Sequence, residues 1–289
     1  MRLAIASGAA ASVIVGASVP VTGMLQGYPL LTGQAMRYAL GGLVLVAWTL
    51  LRGQRVVVPA WADVPALLGL VATGMLGFNA CVLYAQQYAQ PGFVAATLGG
   101  TPVVLALATR GRSRATVVGA VVVALGVVVL SGGGAWHGPG LLLAALAMAG
   151  EASFTLFAVR VVRRLGGVTV ATWCCLIAGV IGAVLGTFVG GWQVPDGRQT
   201  AALVVLATAV TALAFGLWYF AVARLGADRA GVLIGLMPVS GLVVSVALGA
   251  QPLSVIGVVG VATVALGCVV GVMPRKALST HDTHRKALA

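Results

Sequence analysis

Residues 115–133 read ATVVGAVVVALGVVVLSGG, a run with no charged side chain, and Arg110, Arg112 and Arg114 stand directly before it. A helix needs roughly 20 apolar residues to cross the hydrocarbon of a bilayer. This run has that length, and its boundary is basic. Outward in both directions the same alternation recurs, placing spans near 3–25, 30–51, 64–88, 92–109, 115–133, 139–159, 168–191, 200–223, 230–249 and 253–273. The runs are too long and too unbroken for barrel strands, which alternate over about ten residues. The expected fold is therefore an all-α membrane protein of ten transmembrane helices.

Composition agrees. Of 289 residues, 60% are hydrophobic and 8% charged, with mean hydropathy +1.09. A soluble domain is roughly 45–50% apolar and about a quarter charged, so a water-exposed shell could not be built from this chain. Forty-one glycines suit close helix contacts in lipid. The net charge of +12 suggests nucleic acid at first sight. Its arginines and lysines, however, lie in short clusters between apolar runs rather than on one accessible face, which argues against that partner. Cys81, Cys174, Cys175 and Cys268 lie inside apolar runs without metal-ligand spacing, so they read as small buried hydrophobes. His281 and His284 fall in a polar tail with no further ligands, and no metal or cofactor is expected. Met1-Arg2 and the apolar run behind them read as a retained first helix rather than a cleaved signal.

Orientation follows from the basic residues, which favour cytoplasmic loops. Alternate loops, with Arg2 and the tail, collect fifteen of the seventeen lysines and arginines; only Arg198 lies on the other side, and Arg37 falls within a span. Both termini are expected in the cytoplasm, in a multi-pass protein of the inner membrane. The tail 276–289 has no apolar face and is expected to be disordered.

The two halves echo each other. Val123-Ala124-Leu125-Gly126 reappears as Val264-Ala265-Leu266-Gly267, and Leu98-Gly99-Gly100-Thr101-Pro102 parallels Ile234-Gly235-Leu236-Met237-Pro238 at an offset of 136. Val15-Gly16-Ala17-Ser18 likewise aligns with Ala149-Gly150-Glu151-Ala152. Five helices per half is an odd number, so a second repeat would enter the membrane from the opposite side. Residues 1–134 and 135–275 are thus expected to form two inverted-topology repeats, a plan used by many secondary transporters.

Further segments carry a resemblance: Gly16-Ala17-Ser18-Val19-Pro20, Gln34-Ala35-Met36-Arg37-Tyr38, Tyr84 through Pro102, and Trp218-Tyr219 through Pro238. On these the chain resembles the drug/metabolite transporter superfamily, in its EamA branch of ten-helix exporters, over nearly its whole length. The resemblance implies two five-helix halves around a central cavity and export of amino acids, metabolites or drugs. One departure is visible. Gly249-Ala250-Gln251 stands where the family often carries Gly-Glu, so no loop role for that Glu transfers.

Glu151 is the sharpest single signal, about 20 Å of helix into its span at 1.5 Å per residue. An ionisable group at such depth generally faces a cavity or a partner; the plain alternative is a protonated carboxyl serving packing. Arg37 either snorkels to the outer interface or pairs with Glu151 or a substrate carboxylate. Pro102 and Pro238 free the carbonyls of Leu98 and Ile234, beside Gly99 and Gly235, and matched breaks of this kind point to a transporter's central site or else merely shape packing. Asn79 and Gln86 share one face of the third span. At the offset of 136, Asn79 maps to Phe215, Val82 to Trp218 and Leu83 to Tyr219. A wall of Phe215, Trp218 and Tyr219 opposite Asn79, Gln86 and Glu151 would suit an amphipathic organic solute, unless the aromatics are interfacial anchors.

Three classes of function compete. A secondary transporter explains the repeat, the paired prolines and the mid-span Glu together. A membrane enzyme would need a nucleophile with its base, yet acids number five and His137 is the sole histidine outside the tail. A lipid-moving or scaffold protein without solute transport is the alternative. No Walker A pattern is present, so the energy source is expected to be a gradient, with Glu151 a candidate for proton coupling.

Overall fold

The computed structural model describes residues 1–25, 27–110, 113–132, 134–249 and 252–273. The tail histidines, Arg112 and most of the Gly249–Gln251 segment lie outside the described residues. Ten helices run through the rest: α1 Arg2–Gly23, α2 Leu30–Leu51, α3 Trp61–Tyr88, α4 Gly92–Ala108, α5 Arg114–Ser131, α6 Gly140–Leu165, α7 Gly167–Phe188, α8 Gly197–Leu225, α9 Ala227–Ala247 and α10 Val255–Gly271. Eight are long and apolar enough to span a membrane; α4 and α10 are shorter. Backbone amides in lipid must bond within their own segment, which is why apolar runs of this length become helices.

Local signals set the helix ends. Ser113 and Ser254 accept from the amides of Thr116 and Gly257 at 3.0 Å, capping α5 and α10 alike. Asp196 and Gln199 close a reciprocal box at the start of α8. Helices α6 and α7, and again α8 and α9, are joined through a single glycine, Gly166 at φ +83° and Gly226 at φ +86°. A side chain disfavours that backbone region, so the two tight reversals depend on glycine.

The most extensive pairings are α5 with α10, α3 with α6, and α2 with α7. Helix α1 packs on α8 and α9, while α6 packs on α3 and α4. Close approach comes from small residues. A Cβ on Gly126 would meet the Val264 amide nitrogen at 2.8 Å, and one on Gly267 would meet that of Val123 at 2.7 Å. The repeated Val-Ala-Leu-Gly motif is thus the contact between α5 and α10.

Three expectations about single spans change. The sixth span, expected to end near 159, continues to Leu165. Helix α4 is divided by a turn at Gly99 and Gly100, and its second segment is Thr101–Ala108. Helices α3 and α8 each contain a π-helical segment, Leu70–Gly77 and Leu206–Leu213. These segments match residue for residue at the offset of 136.

Candidate functional site

The arms of α1, α2, α3, α6, α8 and α9 enclose a cavity of about 400 Å³. Helix α3 brings Asn79 and Gln86 to its wall, α6 brings Glu151, and α8 brings Phe215 and Trp218. Five of the six residues proposed from sequence therefore meet in one space. Tyr219 does not. It is fully buried behind the wall, its ring stacked 5.4 Å from Phe154 and 6.2 Å from Phe215. Phe215 and Tyr219 are one turn apart, but Tyr219 lies against the start of α7, where a Cβ on Gly167 would stand 3.1 Å from the Tyr219 Cβ. Leu83, its counterpart at the offset of 136, is 42% exposed, so the halves differ here.

Glu151 Oε2 accepts a hydrogen bond of 2.7 Å from the Thr101 hydroxyl. Thr101 begins the second half of α4, so the break in that helix delivers the donor. Arg37 does not snorkel outward. It lines the cavity and its Nε donates to Thr211 Oγ1 at 2.8 Å. Among the described residues no ion pair joins Arg37 to Glu151; the ion pair present is Arg164 with Asp63. The two opposite charges share the cavity unneutralised by each other.

Gly99, Pro102, Gly235 and Pro238 stand off the wall. Pro102 and Pro238 occupy the first turns of Thr101–Ala108 and Leu236–Ala247. An amide there has no intrahelical acceptor, so the proline starts the second segment without sacrificing a bond. A Cβ on Gly99 would meet Val127 Cγ1 at 2.7 Å and one on Gly235 would meet Val123 Cγ1 at 2.3 Å. Both glycines thus seat the breaks against α5. The second break places Ile234 and Met237 on the cavity wall.

Several lining residues escaped the sequence reading. Gln34 and Tyr38 flank Arg37 on one face of α2, and Phe154 and Thr155 follow Glu151 by one turn. Asn79 Nδ2 donates to Tyr38 Oη at 3.2 Å and to the Met75 carbonyl at 2.6 Å. The Phe154 ring lies 5.3 Å from that of Phe215. The signal was available: polar residues at i, i+3 and i+4 in an otherwise apolar span mark a face turned away from lipid. Gln34 Oε1, Thr155 Oγ1 and Trp218 Nε1 are buried on this wall and have no hydrogen-bond partner. Together the wall offers a carboxylate, a guanidinium, unoccupied donors and acceptors, and aromatic faces.

A ten-helix bundle with a polar cavity on its axis defines a multi-pass membrane protein built around an internal binding space. Residues 138–273 match the EamA-like transporter family. Over that stretch the chain resembles this family of the drug/metabolite transporter superfamily, which is one of transporters rather than enzymes. It is 27% identical over 287 residues to an "Uncharacterized transporter YetK" of Bacillus subtilis (strain 168), covering 93% of this chain and 86% of the relative. A solved crystal structure superposes with a TM-score of 0.81 at 23% identity, over 93% of this chain and 96% of the other, a likeness of fold alone.

Proposed function

We propose that the protein is a gradient-driven secondary transporter, exporting a small organic solute by alternating access between two inverted five-helix repeats, residues 1–134 and 135–275. The observation that carries this reading is the cavity itself, about 400 Å³ and walled by helices of both halves, with Glu151 and Arg37 facing it. That volume falls within the range of small-molecule sites, roughly 300–1,000 Å³.

The repeat is supported by reciprocal contacts. Exchanging Gly119, Val123 and Gly126 for Gly260, Val264 and Gly267 converts the α5-to-α10 contacts into the α10-to-α5 ones. The paired π segments of α3 and α8, and the paired breaks of α4 and α9, obey the same exchange. Two packings related by such symmetry can expose one site to either side in turn.

The cavity wall includes the exposed Thr22 and Gln86, near the end of the molecule where α1 stops and α2 begins. The arginine clusters lie at the other end. With those clusters in the cytoplasm, the cavity opens toward the outside, and the Phe154 and Phe215 rings, 5.3 Å apart, lie on its wall.

The test is transport by the purified protein in sealed vesicles under an imposed pH gradient, using a panel of amino acids, nucleosides and organic cations. A growth-protection screen with overexpressing and deleted cells narrows the panel first. Saturable accumulation of one class is expected. Lipid scrambling without uptake of any solute would support the lipid-moving alternative instead.

A further inference from the structure

A second pocket, of about 470 Å³, lies at the end of the bundle away from Thr22 and Gln86. It is framed where α4 and α6 finish and α9 begins. Arg110, Arg163 and Arg229 line it from three separate helix ends, above a floor that includes Leu156, Val159 and Leu225. We propose that this pocket is a binding site for a phosphate group, distinct from the solute cavity.

Charge is the first reason. Three guanidinium groups face the pocket with one carboxylate, Asp228, which leaves an excess of two positive charges. Asp228 is buried at 2% exposure, and its Oδ1 turns back over Gly226, 3.0 Å from where a Cβ would stand there. Asp228 thus lies against the Gly226 turn.

Partnering is the second reason. Three arginines elsewhere at this end of the bundle have partners: Arg164 pairs with Asp63, Arg52 lies 4.4 Å over the Trp48 ring, and Arg224 lies 5.5 Å over Phe220. Among the described residues, Arg110, Arg163 and Arg229 have neither an ion pair nor a hydrogen bond. Arg229 Nε is moreover fully buried and without an acceptor. A buried donor of a charged group left unmatched is costly, and a bound oxyanion relieves that cost.

Geometry selects the ligand. Guanidinium groups borne on three separate helix ends suit the tetrahedral oxygens of a phosphate, which accept paired N–H donors. The apolar floor accommodates the carbon next to such a group. The phosphate could belong to a lipid headgroup or to a free phosphate, and basic pockets between membrane helices suit the former.

The experiment uses the full-length protein in phosphatidylcholine nanodiscs. One arm titrates inorganic phosphate against chloride at equal ionic strength and follows the melting temperature. The other adds phosphatidylglycerol to the nanodisc and counts retained lipids by native mass spectrometry. Saturable stabilisation by phosphate, or selective retention of phosphatidylglycerol, is expected, and which of the two occurs identifies the source. Arg163→Gln and Arg229→Gln should each weaken the response about tenfold, the loss of one charged hydrogen-bonding partner. Arg55→Gln, on an exposed loop, should leave it unchanged. Arg163 is exposed, so its variant carries the test should Arg229→Gln fail to fold. No saturable response in either arm, or equal responses from wild type and Arg163→Gln, would overturn the assignment.

Discussion

The Thr101 hydroxyl occupies one oxygen of Glu151, and Oε1 has no protein donor among the described residues. A carboxyl so placed can exchange a proton with the cavity while its position is held. Glu151→Gln keeps the shape and the Thr101 contact but cannot carry a proton. Under proton coupling the variant should insert normally and lose at least about tenfold of its pH-driven accumulation, while equal-concentration exchange persists. Unchanged pH-driven uptake would reduce Glu151 to a packing residue. Gly16 tests the packing side of the same region. A Cβ there would stand 2.0 Å from the Met237 carbonyl oxygen, a backbone atom that cannot step aside. Gly16→Val should therefore cost about 2–3 kcal/mol, the scale of overpacking, read as a lower melting temperature in detergent. An unaltered melting temperature would mean that α1 and α9 can separate at no cost.

At the scale of elements, the matched interruptions divide into two kinds. In α4 and α9 the breaks begin new segments at Pro102 and Pro238, and they aim Thr101 at Glu151 and Met237 at the cavity. Alanine at either proline restores an amide and lets the two segments fuse, which would turn those side chains. Pro102→Ala and Pro238→Ala should each impair transport at normal protein levels; full transport by both would leave the prolines as packing features only. The π segments of α3 and α8 are different, because a π turn holds one residue more than an α turn of equal span. Deleting Ala72, an exposed residue inside Leu70–Gly77, should let the ladder return to α spacing with both flanks in place. Deleting Val122 from the α-helical α5 should instead rotate everything beyond it by about 100°, one residue of a 3.6-residue turn. The first variant should be recovered folded from membranes and the second degraded. Equal damage from both would show that the π segment is not a local insertion.

For the whole molecule, the basic residues give the orientation to be tested. In a background lacking Cys81, Cys174, Cys175 and Cys268, Arg55→Cys and His137→Cys place one probe at each end of the bundle; both positions are exposed. An impermeant thiol reagent applied to intact cells should label the second and spare the first, because the fifteen basic residues favour a cytoplasmic place for the other face. The reverse pattern would invert the molecule and make the observed cavity open inward.

Helix number was legible because each apolar run must satisfy its own backbone in lipid, a rule that acts locally on contiguous sequence; the end of the sixth helix at Leu165 was not. The deep Glu151, and the Asn79 and Gln86 face, were legible for a related reason: a polar group inside a span has few places to go. What lay beyond the sequence was everything set by relative rotation. Arg37 has the length to reach the interface and equally to reach Thr211, and only the seating of α2 against α8 chooses the latter. Phe215, Trp218 and Tyr219 are equally aromatic, yet the packing of α8 against its neighbours puts two on the wall and one behind it. The sequence by itself determined a ten-helix membrane protein with one carboxyl, Glu151, deep in a span. Tertiary packing decided which side chains share the cavity, because helix rotation depends on many small contacts summed over both partners, as between α5 and α10, and no single segment contains them.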